Sequence, residues 1–177
     1  TDPPSAIESA RALMQAGAEM VKLEGGCAVI EVVQRLADFG VPVCGHLGLT
    51  PQSVHQLSGY RVQGRNAADA SRLLEDASRL QQAGCAMLVL ECMPSALSAE
   101  IAANLEIPVI GIGAGPGVDG QVLVSYDALG ICAGRKPRFV RNFMTAKDSV
   151  DAAAAAFIEA VHTRDFPSEA ESYGERI

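Results

Sequence analysis

Apolar positions along this chain alternate between a spacing that suits helices and one that suits buried strands. Pro3-Pro4-Ser5 opens a helix to about residue 15, and a strand follows at 19–24. Across 28–39 the residues Ile30, Val33 and Leu36 recur on one side of a helix, which Gly40 stops. Residues 41–46 form a second strand. A helix over 67–82 leads to a third strand at 85–91, and a helix over 95–105 to a fourth at 108–113. A fifth strand at 121–125, a basic stretch (Arg135-Lys136-Pro137-Arg138) and a helix over 147–164 complete the pattern. Regular alternation of strand and helix predicts βαβ units around a parallel sheet.

Two of these units are near copies. Gln15-Ala16-Gly17-Ala18-Glu19-Met20-Val21-Lys22-Leu23-Glu24 returns as Gln82-Ala83-Gly84-Cys85-Ala86-Met87-Leu88-Val89-Leu90-Glu91. Each reads as a helix end, a glycine suited to the left-handed conformation there, and a short apolar strand closing on glutamate. Such strands are too apolar to leave one face in water and belong in a buried parallel sheet. Their carboxyl ends are where α/β folds gather their chemistry.

Five strand units fit either an open sheet or part of an eight-stranded barrel, which usually needs about 250 residues. The chain has 177 and starts on a helix, so a barrel would want roughly three more units on the N-terminal side. Residues 49–65 make a 17-residue connection rich in Gly, Ser, Pro and Gln, long enough to expect a functional or interfacial loop. No linker or low-complexity stretch divides the chain, and 1–177 reads as one domain.

Composition narrows the classes of function. At 49% apolar and 20% charged the chain is an ordinary globular one. A net charge of −7 and a pI near 4.9 argue against nucleic-acid or anionic-membrane partners, which would select a basic face. No apolar run approaches the roughly 18 residues that span a bilayer, and Thr1-Asp2-Pro3-Pro4 has no signal-peptide character. The five cysteines are odd in number and form no C-x-x-C pair, which points to a reduced, cytoplasmic protein. Cys44, Cys85 and Cys92 fall in or beside apolar runs, where a thiol acts as a small hydrophobe.

Four residues carry candidate chemistry. Lys22 and Glu24 leave the same face of one strand, either as a structural ion pair or as an anion and metal site. An oxygen ligand such as Glu24 suits Mg²⁺, with Lys22 holding a substrate carboxylate. Glu91 is either a general base or a capping or ion-paired glutamate. His46, at a strand's carboxyl end, is either a satisfied core histidine or a site residue, while His55 and His162 read as surface positions. Gly111 to Gly120 imitates a phosphate loop, but Gln121-Val122-Leu123-Val124 after it is a strand pattern, whereas a dinucleotide fingerprint opens a helix. A close backbone approach or a tight strand-to-strand turn accounts for those glycines better.

Several long motifs resemble one family. Val21-Lys22-Leu23-Glu24-Gly25-Gly26, Gly45-His46-Leu47-Gly48-Leu49-Thr50-Pro51-Gln52-Ser53 and Tyr60-Arg61-Val62-Gln63-Gly64-Arg65 are similar to ketopantoate hydroxymethyltransferases. So are Leu90-Glu91-Cys92-Met93-Pro94, the run Ile107 to Gly115, and Asp119-Gly120-Gln121, in order through nearly the whole chain. The resemblance implies a (βα)8 TIM barrel of the phosphoenolpyruvate-mutase-like kind, of which this chain supplies about the last five βα units, working as a homo-oligomer, typically a decamer. It implies hydroxymethyl transfer from 5,10-methylenetetrahydrofolate to 3-methyl-2-oxobutanoate, giving 2-dehydropantoate in pantothenate biosynthesis, through an enolate stabilised by Mg²⁺. By the same resemblance Glu91 is the catalytic base, Lys22 and His46 bind substrate, and Glu24 is a metal ligand.

The chain also departs from the family pattern. The family's first three strands carry an aspartate-serine motif and a second aspartate for Mg²⁺ and substrate, and those strands precede the point where this chain begins. Glu171 stands where histidine is usual, and Ser125-Tyr126-Asp127 replaces a commoner histidine-aspartate ending. Two alternatives stay open: an inactive truncated or split-barrel subunit, and a related Mg²⁺-dependent carbon–carbon lyase.

Overall fold

A computed structural model describes residues 3–57, 59–132, 134 and 136–174; Thr1, Asp2 and the Arg135 of the basic stretch lie outside them. In chain order the main elements are α1 (Pro3–Gln15), β1 (Val21–Glu24), α2 (Ile30–Asp38), β2 (Val43–Gly48) and α3 (Ala67–Gln82). They are followed by β3 (Met87–Glu91), α4 (Ser95–Asn104), β4 (Val109–Ile112), β5 (Gly120–Gln121), α5 (Ser125–Ala128) and α6 (Val150–His162). The boundaries have local causes. Asn66 opens α3 by accepting the Asp69 N–H at 2.9 Å, and Ser149 opens α6 by accepting the Ala152 N–H at 3.1 Å. In both copies of the repeat the helix ends on a left-handed glycine, Gly17 at φ +101° and Gly84 at φ +93°.

The five strands are all parallel and lie in the order β1-β2-β3-β4-β5. A doubly wound sheet reverses its strand order and carries helices on both faces. Here the order never reverses, and right-handed crossovers in a constant direction put successive helices on one face. On that face Val21, Val43, Leu47, Leu88, Leu90 and Val109 meet Val33 and Leu36 of α2, Leu73 and Leu80 of α3, and Leu97 and Ile101 of α4 in one core. Five successive strands thus build the wall of a βα barrel.

The opposite, inner face departs from the expectation of full burial. Along β3, Leu88 and Leu90 are sealed against helices while Met87, Val89 and Glu91 are half-buried. By alternation Lys22 and Glu24 share that inner face with Cys44 and His46. The fifth strand is a second departure: it spans two residues, 120–121, where 121–125 was expected. One further bond, Val122 N–H to the Gly111 carbonyl at 3.0 Å, extends the ladder. Beyond it Val122 and Val124 are exposed and α5 begins at Ser125. The glycine-rich run is the turn between β4 and β5, and a Cβ on Gly115 would overlap Ser95.

Candidate active site at the carboxyl ends of three strands

Parallel register aligns the site. Glu24 at the end of β1 pairs with His46 on β2, and Gly48 of β2 pairs with Glu91 at the end of β3. The His46 ring is 1% exposed, with Nδ1 3.6 Å from Glu24 Oε1 and Nε2 3.1 Å from Glu91 Oε2. Despite that proximity, neither ring nitrogen makes a hydrogen bond of good geometry among the described residues. A buried polar atom left so costs on the order of 1–3 kcal/mol. His46 is therefore not a satisfied core histidine, and its two nitrogens are free to engage a ligand or a reoriented carboxylate.

Glu24 is held from a second side. Its Oε2 accepts the Gln52 N–H at 3.0 Å, so the 49–65 loop is tied to the strand end. The same loop starts and finishes on β3: Leu49 N–H donates to the Glu91 carbonyl and Gln63 N–H to the Cys92 carbonyl, both at 2.9 Å. Leu49 then packs with Cys92, Ile112 and Phe139 over the end of the sheet. Gln52 fell inside a family-like run of the sequence without a role of its own, because it contributes its main chain rather than its side chain. Lys22 is exposed on the inner face and forms no ion pair among the described residues, so the Lys22–Glu24 bridge is not formed. His55 and His162 are exposed and take no part.

Four of the thiols are held in the unreactive, protonated form. Burial pushes the Cys92 thiol up to about 12, the neighbouring Glu91 charge adds to this, and a hydrogen bond with Tyr173 offsets part of it. Burial likewise raises Cys44 and Cys85, whereas Cys27 is exposed. Cys132 is raised by its hydrogen bond to Asp127. Near neutral pH these raised thiols stay protonated. Glu171 is structural: Arg141 Nε and Nη2 fork onto its two oxygens at 2.8 and 2.7 Å.

Would a magnesium ion fit? Among the described residues no group of three or more His, Cys, Asp or Glu could hold a metal, so there is no closed cage. Mg²⁺ asks for less, commonly one or two carboxylates with waters and substrate oxygens. A half-buried Glu24 with Oε1 not hydrogen-bonded meets that requirement as a single protein ligand.

The family model for ketopantoate hydroxymethyltransferase matches residues 1–169. A 3-methyl-2-oxobutanoate hydroxymethyltransferase of Chromohalobacter salexigens is 52% identical over 168 residues, covering 95% of this chain and 64% of its own. One from Methylobacillus flagellatus is 56% identical over 165 residues, covering 93% and 63%. The chain therefore spans a little under two thirds of the length of these curated relatives. Among solved structures, one described as "Native KDPGal structure" is similar at TM-score 0.47 and 20% identity, over 92% of this chain and 66% of that one.

Proposed function

The chain belongs to the ketopantoate hydroxymethyltransferase family, and from that premise we propose that the protein transfers a hydroxymethyl group from 5,10-methylenetetrahydrofolate to 3-methyl-2-oxobutanoate, giving 2-dehydropantoate. The observation that carries this reading is the row Glu24–His46–Glu91, assembled from three adjacent strand ends with Lys22 on the same face. A ketoacid is an anion whose C3 proton must be removed before carbon can be added there. The exposed Lys22 ammonium suits its carboxylate, and a fixed positive charge there favours the dianionic enolate over the ketoacid.

Glu91 takes the C3 proton onto a carboxylate oxygen, and the enolate electron pair forms the new C–C bond to the one-carbon unit; water supplies the hydroxyl oxygen as that carbon's two C–N bonds break, and tetrahydrofolate leaves with the proton. His46, buried between the two glutamates with neither ring nitrogen hydrogen-bonded among the described residues, is placed to bind substrate oxygen. Glu24 would hold the Mg²⁺, which when bound supplies a Lewis acid at the keto and carboxylate oxygens. The barrel wall closes to eight strands in this reading, as part of a cytoplasmic homo-oligomer of the decamer type. Among the described residues no helix is long and apolar enough to cross a membrane.

The test is an assay of the purified protein with the ketoacid, the folate and Mg²⁺, alongside Glu91→Gln. We expect the variant to lose turnover by about 10²–10⁴-fold, the usual worth of a positioned base, while ketoacid binding by calorimetry stays within a few-fold. Near-normal turnover in Glu91→Gln would remove Glu91 from this role, and an inactive parent protein would remove the reading itself.

A further inference from the structure

Asp76 is a buried carboxylate that the proposed chemistry does not use. It shares the core-facing side of α3 with Leu73, Ala77 and Leu80 and is 6% exposed. Packing alone would favour an apolar residue there, because an ionised group is costly to bury unless it is satisfied. Its nearest cation, Arg72, lies 3.9 Å away on a side chain that is 57% exposed. A long, wet pair of that kind contributes little. What Asp76 does engage is backbone: its Oδ1 accepts the Cys27 N–H at 3.0 Å, from 49 residues away in sequence.

That amide belongs to the turn leaving β1. Glu24 ends the strand, and the next N–H, of Gly25, donates to the His46 carbonyl at 3.0 Å. Gly26 then passes so close to α3 that a Cβ there would overlap the Asp76 carboxylate. One side of the turn is therefore fixed to β2 and the other to Asp76, with Glu24 at its root. We propose that Asp76 is a positioning residue, which holds the 25–27 turn and through it sets the Glu24 carboxylate against His46 and Glu91. What Glu24 does there rests on the function proposed above; how it is held is a matter of geometry.

The experiment compares Asp76→Ala, Asp76→Asn and Gly26→Ala with the parent protein. Three quantities are read: Tm, steady-state kinetics well below Tm, and the ring ¹⁵N resonances of His46 after selective histidine labelling, with three histidines in the chain to assign. We expect Asp76→Ala to lower kcat by about 10–100-fold, the usual loss on removing an outer-shell partner. KM for the ketoacid should change by less than about threefold, since positioning acts on the transition state rather than on binding. The His46 resonances should move as well. Asp76→Asn, which keeps an acceptor for the Cys27 amide, should restore both. Gly26→Ala should reproduce the Asp76→Ala loss by displacing the carboxylate while every hydrogen-bonding group remains, so it decides the matter if Asp76→Ala does not fold. A lower Tm with kcat and His46 resonances unchanged overturns the inference. Should the parent protein prove inactive, the reading of function fails, and the His46 resonances alone still decide whether Asp76 sets the site.

Discussion

At the residue scale, Gly48 is as constrained as any side chain in the site. It sits at φ +92°, and a Cβ there would overlap the Glu91 carbonyl that also accepts the Leu49 N–H. Gly48→Ala should cost on the order of 1–3 kcal/mol in backbone strain alone, read as a lowered denaturant midpoint. A variant as stable as the parent would show that the strand end relaxes freely. Single residues were legible from sequence where chemistry and position coincided. Glu24 and Glu91 close the two copies of the repeat, and His46 stands at a strand end between them. Gln52 and Asp76 were not legible, the first because it acts through its amide, the second because one more acid on an amphipathic helix carries no mark of burial. The roles of His46 and Lys22 stayed open in the sequence because partners, or their absence, are set by neighbouring strands.

At the scale of elements, the segment 165–173 behaves as a strap. Arg141 grips it, with Nη1 on Asp165 Oδ2 at 2.5 Å and the fork on Glu171, and the guanidinium lies over Phe143 and Phe166. Ser168 and Glu171 cap one another, and the strap ends with the Tyr173 carbonyl accepting the Ser95 N–H at 2.9 Å, beside Cys92. Burial pushes the Glu171 carboxyl up, but hydrogen bonds from Arg141 and Ser168 outweigh it and leave the group below its ordinary value. A depressed acid stabilises the folded form above its unfolded pKa, about 4.3, and that contribution disappears as pH falls through the lower folded value. We therefore expect amide protection factors within 165–173, taken relative to the intrinsic exchange rate at each pH, to be high at pH 6 and to fall below about pH 4 ahead of the sheet. Arg141→Lys, which loses the fork, should bring that loss of protection to higher pH; a strap with equal protection factors at both pH values would contradict the account. No local stretch of sequence betrays this grip, since it joins residues about 30 positions apart. The sequence did mark α3, expected over 67–82 and found there with Gly84 just behind it, and it overran β5, beyond which Val122 and Val124 are exposed and α5 begins.

Over the whole molecule, alternating strands and helices were readable from period alone, but barrel wall and open sheet share that alternation. What separates them is the strand order and the single helix-covered face, and neither is written in any local stretch. The apolar strand runs hid the same distinction, because inner and outer positions of a barrel are both built from large side chains. The unequal burial of the five cysteines has a practical consequence. Cys44, Cys85 and Cys92 are shielded, and Cys132 is tied to Asp127, which leaves Cys27 in the open three residues beyond Glu24. A maleimide dye added in slight excess should attach there first, as peptide mass mapping would reveal, and equally fast modification of Cys92 would contradict the picture. The native chain thus offers a ready-made attachment point for a fluorescent reporter at the rim of its own candidate active site.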